Sequence, residues 1–311
     1  MPLEPPSFGS QGYWNQRFTT NSNPFEWLEE PTALDPFILD ALRDSTKNNP
    51  QLLHIGCGTS LLSYLLRSYV DDPRQIHNLD YSEVAINLGR KREVEIHKGN
   101  GVLDEEELMG TNILKKAALE EDNTSGQSDE VPHSQTTYMR WDAADLLDPK
   151  SVLHVCKPET YRIIVDKSTS DSIACSDDID VALPYPVGIR SDTPMKFNLR
   201  RSGPLHPLQI MAVHLARTTE RGGRWISLSY SQDRYPFFNL FEKIPQDVID
   251  NGFPDPSLLW RMMSKHEIET PERQPSEGSG GGSITHRPKE LHYVYVLERT
   301  DTPLFMRGDH I

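Results

Sequence analysis

A short, mostly apolar run, Leu52-Leu53-His54-Ile55, breaks off into Gly56-Cys57-Gly58-Thr59-Ser60. Leu61, Leu62, Leu65, Leu66 and Tyr69 then follow at helical spacing. This reads as a buried strand, a tight glycine turn and the start of a helix. Such a turn lets the backbone bend sharply and lets a ligand approach it closely. The helix start adds free N–H groups and a partial positive charge. A tight strand-to-helix turn with no ligand has the same signature, so the rest of the pattern has to narrow it. Gln75 to Asp80, Thr137 to Trp141, Tyr161 to Val165, Arg224 to Tyr230, Trp260 to Glu269 and Leu291 to Glu298 also read as strands. Helical patterns lie between several of them. Asp35 is placed to cap a helix over 35–43, Ser82 to cap one carrying Val84 and Leu88, and Leu205 to Thr219 forms another, ended by Gly222-Gly223. The alternation predicts an α/β fold with a doubly wound, mainly parallel seven-stranded sheet and helices on both faces.

Asp80 stands 24 positions after Gly56, at the end of the second strand. An acid there can accept both ribose hydroxyls of a nucleotide ligand. A dinucleotide site also wants a third glycine at position 61, where this chain has leucine. A ligand with a ribose but no pyrophosphate fits better, and S-adenosylmethionine (SAM) is such a ligand. Asp142-Ala143, after the third strand, can read an adenine edge. Asp166 and Asp171 leave the fourth strand with several hydroxyls between them. Strand carboxyl ends in open α/β sheets meet the ligand crevice, so these acids are candidates to meet a donor or an incoming amine.

The formal charge is −14, and residues 104–130 carry half of it, nine acids against two lysines. Phosphate-backbone binding wants a basic face, so a nucleic-acid partner is not expected. No apolar run approaches a membrane span, and MPLEPPSFGS offers no support for a secretory signal. Three scattered cysteines make no disulfide framework, and neither they nor the histidines have metal-ligand spacing. A cytoplasmic, reducing location and no metal are the expectations. Residues 1–34 form an aromatic-rich leader and 35–311 a single domain, with a flexible acidic insertion at 99–136 and a Gly/Ser loop at 275–283.

Several stretches together resemble the class I SAM-dependent methyltransferases. Within them the chain is most similar to the methyltransferase-like group that modifies lysines or the N-terminus of translation elongation factor 1-alpha. The resemblance rests on Phe8-Gly9-Ser10 with Tyr13-Trp14-Asn15-Gln16-Arg17-Phe18 and Phe25-Glu26-Trp27, on Leu53 to Ser60, on Asn78-Leu79-Asp80-Tyr81-Ser82, and on Val165-Asp166-Lys167-Ser168-Thr169-Ser170-Asp171. Ser168 and Ser170 depart from the glycine and leucine of that group's D-K-G-T-L-D motif. The resemblance implies a cofactor site of Trp14, Arg17, Gly56, Cys57, Gly58, Asp80, Tyr81, Asp142, Ala143 and Asp166. Arg17 would lie near the donor's carboxylate, and Asp166 and Asp171 would orient an acceptor amine and take its proton. The implied reaction methylates an amine of a protein, with S-adenosylhomocysteine as product. A small-molecule methyltransferase and an inactive methyltransferase-like binding subunit are the alternatives.

Overall fold

β1 (Gln51–Ile55) is apolar on both sides, and the chain buries it on both sides. Leu53 and Ile55 enter one core and Leu52 the other, each fully buried. Complete burial of such a side chain contributes roughly 1.5–3 kcal/mol, which makes β1 a natural centre for the sheet. The computed structural model describes residues 6–45, 49–97, 137–190, 202–239, 243–270 and 290–308. The acidic insertion expected at 99–136 and the Gly/Ser loop expected at 275–283 lie outside them.

The strands are β1, β2 (Ile76–Asp80), β3 (Arg140–Ala143), β4 (Tyr161–Lys167), β5 (Ile179–Ala182), β6 (Val187–Ile189), β7 (Ser202–Leu205), β8 (Thr219–Ser229), β9 (Trp260–Glu269), β10 (Leu291–Arg299) and β11 (Leu304–Met306). Seven form one sheet in the order β3-β2-β1-β4-β8-β10-β9. The first five in that order run parallel, and β10 is antiparallel to both of its neighbours. The expected α/β fold with a mainly parallel seven-stranded sheet is therefore the observed one. Two small ladders, β5 with β7 and β6 with β11, lie outside it.

Helices cover both faces. The helices that matter for the site are α1 (Gln11–Thr20), α2 (Asp35–Arg43), α3 (Leu62–Arg67), α4 (Glu83–His97), α5 (Pro149–Val155), α6 (Thr169–Ile173) and α7 (Pro207–Thr218). α7 is buried along nearly its whole length and joins Leu53, Ile55, Ile164 and Trp225 in the larger core. α2 and α3 pack on the other face, where Ile38, Leu62 and Leu66 meet Leu52, Ile163 and Val165.

Three local expectations are corrected. Asp35 is the first residue of α2, with Leu34 in the capping position. α7 stops at Thr218, before the glycines expected to end it. Gly222 and Gly223 lie inside β8, where the pairing with β4 jumps from Tyr161–Thr219 to Ile163–Arg224. The extra residues make a bulge, and Gly222 takes φ +73° there. The third strand begins at Arg140 and runs through Ala143, later than the expected 137–141, and this shift decides where Asp142 points.

Candidate active site

β1, β2 and β4 end at a common edge. Ile55 pairs with Leu79 on one side and with Asp166 on the other. Past that edge the glycine turn is held from three directions. Cys57 N–H donates to the Leu79 carbonyl at 2.9 Å. Thr169 Oγ1 donates to the Ile55 carbonyl at 2.9 Å. Gly58 N–H donates to Asp80 Oδ2 at 3.0 Å. Gly56 and Gly58 have φ of +56° and +49°, a region that side-chain-bearing residues rarely adopt. A Cβ on Gly56 would also lie 2.1 Å from Thr169 Oγ1.

Asp80 closes β2 and is buried. Its Oδ1 accepts from Ser82 N–H at 2.8 Å, which starts α4. Burial pushes its pKa up to about 6, against the lowering effect of the backbone donors. Backbone N–H groups of Gly58, Tyr81 and Ser82 bond the carboxylate, whose two oxygens have about four acceptor sites, so capacity remains on the side that lines the crevice.

The crevice encloses about 960 Å³, counting the space open to solvent. One wall is the glycine turn, Leu79, Asp80 and Tyr81, another is Ala144 to Leu147, and a third is Lys167 to Thr169 with Ser172 and Ser176. Aromatic rings from the leader, among them Trp14, Phe18, Phe25 and Trp27, supply the rest. Trp14 stacks on Phe18 at 5.6 Å, and its Nε1 donates to the Phe8 carbonyl at 2.7 Å. Both pack against Ala85 of α4.

Glu26 fastens this leader to the sheet. Its carboxylate accepts from Ser60 Oγ at 2.8 Å, from Leu61 N–H at 2.6 Å and from Lys167 Nζ at 2.6 Å. The negative charge thus sits at the start of the helical segment after the glycine turn, where free N–H groups favour it. Lys167 is buried beside it, and burial holds its ammonium below the usual lysine range despite the Glu26 charge. His54, also on the crevice wall, is fully buried and bonds Ser63 Oγ at 3.0 Å. Burial pulls its pKa down to about 3, so the ring is neutral at pH 7.

The structure brings together Trp14, Gly56, Cys57, Gly58, Asp80 and Tyr81 at the crevice, as the sequence motifs expect. It places the other expected residues elsewhere. The Arg17 guanidinium lies 4.4 Å over the Phe25 ring and does not line the crevice. Asp142 falls within β3, so strand alternation turns it away, and its Oδ2 meets His77 Nε2 at 2.9 Å. Ala143 stands beside Asp80 in register, but the chain just beyond it forms the wall.

Asp166 is buried beneath the floor. It accepts from Thr169 N–H at 2.9 Å, Ser170 N–H at 3.2 Å, Ser227 Oγ at 3.1 Å and Ser170 Oγ. Its pKa is pushed up to about 6 by burial. Asp171 pairs with Arg234 Nε at 2.7 Å and accepts from Ser229 Oγ and Tyr230 N–H. Neither lines the crevice, because each is turned under it to tie α6 to β8. The residues that motif reading passed over are Glu26, Lys167, Ser168 and Thr169. All four stand in quoted motifs, but the role of each depends on a contact across the fold.

No helix among the described residues is long and apolar enough to cross a membrane, and they hold no cluster of metal-ligating side chains. The strand order, with the last strand inserted antiparallel between the fifth and sixth, decides the architecture. The fold is a Rossmann-like, mainly parallel seven-stranded α/β fold. No family model matches the chain. Its sequence is similar to methyltransferase srdJ of Neurospora crassa, 27% identical over 232 residues that span 74% of this chain and 70% of the relative. The N-methyltransferase NodS of Bradyrhizobium japonicum, solved with S-adenosylhomocysteine, aligns over 96% of this chain and 100% of its own, at 11% identity and a TM-score of 0.45. A SAM-dependent methyltransferase of Anabaena variabilis aligns over 96% of each chain, at 11% identity and a TM-score of 0.45.

Proposed function

We propose that the chain is a SAM-dependent methyltransferase. One observation carries the reading: Asp80, buried at the end of β2, presents a carboxylate to the crevice beside a turn whose two glycines both have positive φ. This is the chemistry a ribose and a closely approaching ligand require. When bound, SAM supplies an activated methyl on a charged sulfur, and S-adenosylhomocysteine is the product. Asp80 accepts the ribose hydroxyls, and Tyr81 flanks the adenine. The Gly56–Gly58 turn admits the amino-acid end, and the leader rings exclude water. The protein's contribution is then mainly proximity and orientation.

The acceptor follows the resemblance in its first reading: an amine of a protein, a lysine side chain or an N-terminus, with translation elongation factor 1-alpha as the model partner. A free lysine is overwhelmingly protonated at pH 7, and an apolar, aromatic-lined crevice lowers its pKa toward the neutral, nucleophilic form. Asp166 and Asp171 are already engaged by other partners, so the proton leaves by a route other than these two acids. A second reading, a small-molecule acceptor, is favoured by the leader, whose rings wall the crevice and are fastened there by Glu26.

Two measurements test these statements. Calorimetry with S-adenosylhomocysteine tests the donor site. Micromolar binding is expected, and Asp80→Ala is expected to weaken it by about 1–3 kcal/mol through unpaired ribose hydroxyls. No binding by the wild-type chain to either SAM or its product removes the reading and favours an inactive binding subunit. Incubation with methyl-labelled donor and a cell lysate, split into protein and small-molecule fractions, separates the two acceptor classes.

A further inference from the structure

Ser168 stands where the motif it resembles carries glycine, and the backbone there wants glycine. It has φ +67° and ψ +8°, the left-handed region. The conformation is imposed from both sides. Ser168 N–H donates to the Leu228 carbonyl at 2.9 Å, and the Ser168 carbonyl accepts from Ser172 N–H at 3.1 Å. A side chain at such a position strains the backbone, and only a compensating contact makes it worth keeping.

No such contact is made within the described protein. A serine preceding a helix ordinarily accepts from the helix's first N–H groups. Here Asp166 Oδ1 already takes the N–H groups of Thr169 and Ser170, and the Ser168 side chain caps nothing. Ser168 is 8% exposed, its Oγ is buried, and that hydroxyl has no hydrogen-bond partner. A buried unpaired hydroxyl is itself unfavourable. Yet the residue lines the crevice. Its neighbour Thr169 bonds the Ile55 carbonyl and packs on Gly56, which places Ser168 beside the glycine turn.

We propose that the Ser168 hydroxyl is a binding contact of the crevice, hydrogen-bonding the charged amino-acid end of the donor. The inference rests on the reading of the crevice as a SAM site. It assigns to one serine, absent from the resembled motif, a contact that offsets its strain.

The experiment uses the full chain and two nucleoside probes. S-adenosylhomocysteine carries the amino-acid end, and 5′-methylthioadenosine is the same thionucleoside without it. Calorimetry is run on wild type, Ser168→Gly and Ser168→Ala, with thermal melting of the unliganded proteins alongside. Both variants are expected to bind S-adenosylhomocysteine about tenfold more weakly and 5′-methylthioadenosine as the wild type does. Ser168→Gly is also expected to melt about 2 °C higher, since it relieves the strain and removes the unpaired hydroxyl. A purely structural serine cannot give weaker binding together with a higher melting point. Unchanged S-adenosylhomocysteine affinity in both variants overturns the assignment and leaves the SAM site standing. So does an equal loss for both probes. Failure of the wild type to bind either probe overturns the SAM reading and this contact with it.

Discussion

Replacing Glu26 by alanine tests how the leader is held, and the structure sets the size of the effect. The carboxylate bonds Ser60 Oγ, Leu61 N–H and the Lys167 ammonium. The Lys167 and Glu26 side chains are 3% and 15% exposed. Breaking a buried pair by removing one partner costs about 3–5 kcal/mol, because the surviving charge is stranded. The lysine has one escape, which is to lose its proton. Relative to an unfolded lysine of pKa about 10.4, deprotonation costs about 5 kcal/mol at pH 7 and about 2 kcal/mol at pH 9. The direction follows from linkage. A lysine held below its usual pKa in the folded state binds fewer protons than the unfolded chain, so its deficit shrinks as pH rises. Glu26→Ala is therefore expected to lose about 3–5 kcal/mol at pH 7 and about 2 kcal/mol at pH 9. Urea unfolding followed by tryptophan fluorescence reads both values. Glu26→Ala/Lys167→Met is expected to recover most of the loss. A deficit below about 1 kcal/mol at pH 7, or one that stays flat to pH 9, would refute the reasoning.

Asp80 makes opposite predictions for stability and for binding. Its folded pKa of about 6 lies above the unfolded value, so the stability it contributes to the unliganded protein is complete below pH 4 and is lost as pH rises through 6. Ribose binding needs the carboxylate, so S-adenosylhomocysteine affinity is expected to fall as pH drops through 6. Asp80→Asn is expected to flatten that calorimetric profile. Gly56→Ala is expected to cost about 2–4 kcal/mol in urea unfolding, from positive φ together with the clash on Thr169. Gly58→Ala is expected to cost about 1 kcal/mol, from its positive φ, because its Cβ would meet nothing nearer than the Phe18 ring, at 3.3 Å. Asp166→Ala is expected to destabilise by about 2–4 kcal/mol, since it strands the donors of Thr169, Ser170 and Ser227. Its surviving folded fraction is expected to bind S-adenosylhomocysteine within about twofold of wild type; a larger loss would restore Asp166 to the donor site.

The parts of the site that sequence could announce are those whose signal is local. Gly56 and Gly58 follow an apolar strand and must turn, and Asp80 ends the next strand. Their positions fall out of period and spacing. Asp142 depended on parity: a strand boundary moved by two residues put it inside β3, where alternation aimed it at His77. Asp166 and Asp171 sat at the right strand end, but hydroxyls from β8, more than fifty residues away, claimed them. Arg17 found a ring in its own leader. Glu26 and Lys167 are 141 positions apart, and nothing in either neighbourhood announces the other.

The insertion of β10 between β8 and β9 has a consequence for assembly during synthesis. Until residues 291–299 have emerged from the ribosome, β8 has no partner on that side, although it already carries Trp225, Ile226 and Leu228. A nascent chain therefore holds an adhesive, unzipped margin from the completion of β8 until β10 arrives, and only the antiparallel pair of β9 and β10 seals it. Ribosome stalling after β8 has emerged and before β10 has is where chaperone dependence should peak.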